Sequence, residues 1–192
     1  MNDYKKLKES KMGQIRQHYR VLLIAAISSR YPEGIAWAAE RAEQTWGKVQ
    51  FQSPIFEFNQ TEYYTKTMGE DIKKQLLAFE RLIDPAEIAD RKLISNHWEA
   101  EFANEFTCPE SRPLNIDPGY LTEAKLVLVT TKDRDHRIFL RDGIFAEVTL
   151  HYQGKVWNAA RWTYPDYLRS EYHDFFSECR VWFRRHLAAN RD

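Results

Sequence analysis

"IKKQLLAFERLIDPAEI", residues 72–88, decides between two architectures. Its first part looks like a strand, although Lys, Gln, Leu and Ala are also good helix formers. The last six residues argue for a break. Asp84 suits a helix cap, Pro85 the first helical position, and Glu87 completes a capping box by reaching back to the cap's backbone N–H. Ile83 and Ile88 flank this box at the spacing of a hydrophobic staple. A helix therefore starts at 84–85, and 72–83 is expected to be a strand that feeds it.

Working outward, the helix carries Ile94, Trp98 and Phe102 at steps of four and stops before Cys108-Pro109. Upstream, "VQFQSPIFEF" (49–58) alternates apolar and polar residues around Pro54, a strand broken where proline cannot donate to a ladder. "YPEGIAWAAERAEQTWGK" (31–48) has Pro32 for a first turn, Gly47 for a stop, and Ile35, Ala38, Ala39, Ala42 and Trp46 at helical spacing. "RVLLIAAISS" (20–29) is a continuous apolar run that suits a strand covered on both faces. Residues 59–71 read as a polar loop with Tyr63 and Tyr64. Downstream, "RPLNIDPGY" (112–120) reads as a short strand entering a Pro-Gly turn. "LTEAKLVLVTT" (121–131) reads as a short helix or irregular crossing.

"TTKDRDHRIFLRDGIFAEVTL" (130–150) is a β-hairpin folded at Asp142-Gly143. An aromatic loop over 153–169 leaves room for one more strand, and 170–189 closes as a helix with Tyr172, Phe175, Phe176, Cys179, Trp182, Phe183 and Leu187 on its apolar stripe. The fold class is α+β: a mostly antiparallel sheet with packed helices, a ferredoxin-like βαββαβ start, then a C-terminal β-hairpin and helix. Residues 1–19 are expected to be a flexible basic leader and 20–192 a single α+β domain.

The chain has 192 residues and no formal net charge. Its charge is uneven: residues 1–20 carry six basic and two acidic groups, whereas 57–110 carry six basic and twelve acidic. The neutral whole argues against a dedicated nucleic-acid binder. No apolar run approaches bilayer length, so no membrane partner is expected. Two distant cysteines, 108 and 179, form no disulfide framework, and a reducing cytoplasm is the expected location. Neither GxxxxGK[ST] nor GxGxxG occurs, which removes the common phosphate loops. The six histidines form neither HxH nor HExxH, GxSxG is absent, and no metal or other cofactor is expected.

The hairpin is where the polar residues concentrate. A two-residue type I′ turn would set Leu140 opposite Phe145, Ile138 opposite Glu147 and His136 opposite Thr149. His136 and Glu147 would be diagonal neighbours on one face, with Thr149 beside them and Lys132 entering at the open end. Arg137 would point to the other face. The functional reading is a pocket for a small polar or anionic ligand, in which Lys132 and Arg137 meet the anion and His136 and Glu147 orient it or exchange protons. The bland reading is that Glu147 neutralises Arg137 or Lys132. Asn115 and Asp117 share a face in "NIDPGY" and are either ligand-binding or turn chemistry. In "TYPDY", Tyr164, Asp166 and Tyr167 stand on a loop stiffened by Pro165, which walls a pocket or covers the core edge. One alternative is an acid–base or metal-assisted enzyme using His136 and Glu147. Another is a structural homodimer joined through an uncovered sheet edge.

"MG" after "TEYY", then "FERLIDP", "NIDPGYL", "TTKDRDHRIFL", "DGIFAEVTL" and "WTYPDY" resemble an uncharacterised prokaryotic family, domain of unknown function 4416. The resemblance covers nearly all of 20–185. It implies a compact cytoplasmic protein of bacteria or archaea and brings no activity with it.

Overall fold

The computed structural model describes residues 18–58 and 62–189. Residues 1–17 of the expected leader, and the side chains of Tyr63 and Tyr64, lie outside the described residues. The decisive stretch resolves as expected: β4 (Lys73–Ile83) ends at Asp84, whose carboxylate accepts from the Ala86 N–H at 2.8 Å. Glu87 accepts from the Asp84 N–H at 3.4 Å, closing the box. A 3-10 turn (Pro85–Glu87) then leads into α3 (Ile88–Glu105).

Before β4 come β1 (Val21–Ser29), α1 (Pro32–Trp46), β2 (Val49–Gln52), β3 (Phe56–Glu57) and α2 (Glu62–Met68). After α3 come β5 (Leu114–Leu121), β6 (Lys125–Thr130), β7 (Ile138–Arg141), β8 (Ile144–Gln153), β9 (Val156–Ala159) and α4 (Ser170–Ala189). The nine strands of the described residues form one antiparallel sheet of order β2-β4-β1-β5-β6-β8-β7, with β3 on β4 and β9 on β8. The fold is therefore α+β. β1 is central and every one of its residues is buried. Its alternate side chains face two cores, as the period of a strand requires. Val21, Leu23, Ala25 and Ile27 pack against Trp46, Trp98 and Phe102 of α1 and α3. Leu22, Ile24 and Ala26 join a core with Tyr172, Phe176 and Phe183 of α4.

Three expectations change here. The loop over 59–71 contains α2, which Gly69 ends at φ +80° and which buries Met68 against Phe58 and Ile72. Residues 125–130 are strand β6, not a helix or crossing. The run Leu126–Val129 is covered on both faces, which overrides the helix-forming residues before it. And Pro118-Gly119 is no turn: β5 runs straight through it.

That last correction locates the site. β5 pairs with β1 along its whole length, but with β6 only through Gly119, Tyr120 and Leu121. The Ile116 N–H points away from β1, since it bonds a carboxylate of α3. The Pro118 nitrogen, two residues on, points the same way and has no hydrogen to give β6. Gly119 permits the last close approach: a Cβ there would stand 2.3 Å from the Val127 carbonyl oxygen and 2.7 Å from Leu128 Cδ2. Beyond this point the two strands part. Gly119→Ala is expected to cost about 1–3 kcal/mol by overpacking against main chain, read as a lowered urea midpoint. An unchanged midpoint would refute the close contact.

The hairpin differs from its expected register. Asp142 and Gly143 both have positive φ, 52° and 74°, as a type I′ turn demands. Arg141 pairs with Ile144, but Phe139 then pairs with Phe145 and Ile138 with Ala146. Leu140 is the extra residue of a β-bulge, which slips everything before it by one position. His136 and Arg137 fall outside β7. This strand is the sheet's edge, and Ile138, Phe139 and Leu140 are exposed on it.

Candidate functional site

Where β5 and β6 part lies a small cleft of about 40 Å³. The β5 wall presents Asn115 and Asp117, with Lys92 of α3 and Arg112. The opposite wall presents Lys132, Arg137, Glu147 and Tyr164. Leu128, Val129, Thr130 and Thr131 of β6 and its loop complete it.

The β5 wall is held by side chains that replace the missing strand partner. Lys92 Nζ donates to the Ile116 carbonyl at 2.7 Å, to Asp117 Oδ1 at 3.0 Å and to Glu99 Oε1 at 3.4 Å. Ser95 donates to the same carbonyl at 3.1 Å, and Glu99 Oε1 accepts the Ile116 N–H at 2.8 Å. Backbone groups left unpaired by the split are thereby satisfied, as buried main chain must be. Glu99 Oε2 accepts from Arg112 at 3.0 Å, Arg112 donates to the Asn115 side-chain Oδ1, and the Asn115 amide donates to Asp117 Oδ2 at 2.7 Å. Burial alone pushes the Asp117 carboxyl up. Lys92, the Asn115 amide and Arg112 outweigh it and hold the group down at about 2. Asp117 is therefore an anion at every ordinary pH, and 31 % of its side chain remains accessible.

The other wall is organised by Glu147, whose side chain is 3 % exposed. Its Oε2 accepts from Arg137 Nε at 2.7 Å and faces His136 Nε2 at 3.1 Å. Among the described residues, Oε1 holds only a long contact, 3.5 Å, from the Thr149 hydroxyl. Arg137 also donates to the Lys132 carbonyl at 2.9 Å and reaches the Tyr164 hydroxyl at 3.4 Å. Burial lowers its pKa, but bonds to Glu147 and Tyr164 raise it further, so the guanidinium stays charged. The bulge at Leu140 explains this arrangement. The slipped register turns Arg137 to the Glu147 side, correcting the expectation that it points away. His136 keeps its contact from the loop ahead of β7, stacked on Trp162 at 5.1 Å with its other nitrogen 3.1 Å from Asp135.

The structure thus brings Asn115, Asp117, Lys132, Arg137, Glu147 and Tyr164 to one cleft. It separates Thr149, His136, Asp166 and Tyr167 from the lining. Thr149 is fully buried, and its carbonyl accepts the Thr163 hydroxyl at 2.7 Å. Tyr167 stacks on Phe176 in the α4 core, and Asp166 is paired with Lys74 at 2.5 Å, so neither walls this cleft. Lys92 and Arg112 were missed. The available signal was polar residues at 92, 95 and 99, on the inward stripe between Ile88 and Phe102 of a helix that had to face a core.

Among the described residues, no group of three or more His, Cys, Asp or Glu side chains is placed to hold a metal ion. No described helix is long and apolar enough to cross a membrane. A protein-family model, described as a domain of unknown function (DUF4416), matches residues 19–183. Searches of curated proteins and of solved structures gave no match.

Proposed function

The chain belongs to this family of unknown function, and since membership carries no activity we propose, from the cleft alone, that the protein binds a small anionic ligand between β5 and β6. One observation carries the reading: the lining holds four cationic side chains, Lys92, Arg112, Lys132 and Arg137, against two carboxylates, Asp117 and Glu147. The balance stays positive when Glu99, which grips Lys92 and Arg112, is added. Low-dielectric walls strengthen such an imbalance toward an anion entering the cleft. Arginine's fixed fork suits carboxylate and phosphate oxygens. Tyr164 and the threonines at 130 and 131 add hydroxyl partners. Lys132 and Arg137 meet the anion, and Glu147 orients Arg137.

The test is a calorimetric titration of the full chain with inorganic phosphate and with succinate at low ionic strength. At about 100 times its dissociation constant, a bound anion adds roughly 2.7 kcal/mol to stability, visible as a higher melting temperature. Lys132→Gln and Arg112→Gln are each expected to weaken binding about tenfold, the loss of one charge-assisted hydrogen bond. An absence of binding by both anions, or affinities untouched by both substitutions, would overturn the reading.

A further inference from the structure

The cleft holds more than a demand for negative charge. Cations only donate and ionised carboxylates only accept. Two carboxylates face the space. Asp117 is fully ionised and partly open to it. Glu147 is deeply buried, yet both of its short contacts fall on Oε2. Its Oε1 is left with the long approach of Thr149. An ionised carboxylate offers about four lone-pair positions, and a buried acceptor left short of donors is costly. A bare anion supplies no donors for either carboxylate.

The complementary occupant therefore carries oxyanions for the arginine and lysine groups together with donors for the carboxylates. Those donors are hydroxyls or an ammonium, and charge decides between them. The lining is net positive, and a simple amino acid, one ammonium against one carboxylate, brings no net negative charge to balance it. A hydroxylated dianion does. We infer that the ligand of this cleft is a small dianion bearing one or more hydroxyl groups, with the oxyanions on Arg137, Lys132 and Arg112 and the hydroxyls donating to Glu147 and Asp117. Two sources share this chemistry, a polyol phosphate monoester and a hydroxydicarboxylate. The inference rests on the anion-site reading above and goes beyond it by assigning the two carboxylates a role in recognition.

The experiment compares pairs that differ only in hydroxyl groups: glycerol 3-phosphate with propyl phosphate, and malate with succinate, each titrated calorimetrically into the full chain. In one pair the hydroxylated member should bind at least tenfold tighter, and which pair does so distinguishes the phosphate from the dicarboxylate source. Glu147→Gln and Asp117→Asn should each reduce that preference. Asp117→Asn, at the more accessible position, serves if the buried substitution unfolds the chain. Equal affinities within both pairs would overturn this inference and leave the anion site standing. So would a preference that survives both substitutions. Failure of all four compounds to bind would overturn the anion site itself and this assignment with it.

Discussion

Asp166→Ala should lower the free energy of unfolding by about 3–5 kcal/mol, the usual cost of removing one member of a buried ion pair. Lys74 and Asp166 have side chains 8 % and 2 % exposed and meet at 2.5 Å. The ammonium also lies 3.9 Å from the Phe58 ring centre and 5.4 Å from that of Tyr167. Without the carboxylate it has aromatic faces and little water. Lys74→Met combined with Asp166→Leu should recover most of the loss, since an apolar pair of similar volume is often as stable as the ionic one. Urea denaturation of the three variants measures this. A single-variant loss under about 1 kcal/mol would show that water reaches the lysine and that the pair is not a structural lock. The pair also matters for the site. Asp166 sits in the 3-10 turn Pro165–Leu168, directly after Tyr164, which stands in the cleft wall. Weaker anion binding should accompany the lost stability.

Arg137→Met is the second large effect, again about 3–5 kcal/mol. It leaves Glu147, nearly inaccessible, with His136 as its remaining short contact. It also cuts the bond from Arg137 to the Lys132 carbonyl that ties the loop before β7 to the wall. Arg137→Lys should restore only part of the stability, because an ammonium cannot reproduce donors aimed at Glu147, Lys132 and Tyr164 from one rigid plane. Stability comes from urea denaturation, and affinity for phosphate from calorimetry. A methionine variant as stable as the parent would show that His136 and Thr149 satisfy Glu147 without help.

What could be read before the structure was what the chain encodes locally. The capping box at Asp84 and Glu87, the helical spacing from Ile35 to Trp46, and the alternation broken at Pro54 each depend on a few neighbouring residues. The α+β order follows from them. The register of the hairpin does not, because the bulge at Leu140 exists only against β8. The same holds for Pro118-Gly119, which reads as a turn in isolation and becomes the start of a split only when β6 lies alongside. Lys92 gave the weakest signal. A lysine on a helix face that also carries Ser95 and Glu99 looks solvated until the strand beneath it lacks a partner. Asp166 and Tyr167 sit in a stiff aromatic loop that fits a pocket wall or a core plug equally well, and the core claimed them.

The parting of β5 from β6 has a consequence for how this molecule can diversify. Only three paired positions stitch the strands together, and the far lip is carried by loops and a hairpin at the sheet's margin. The near lip is anchored to the central strand and to α3. Changes on the margin can retune what is recognised while the middle of the molecule keeps its architecture intact. The seam is thus a border between a conservative half and an adaptable one.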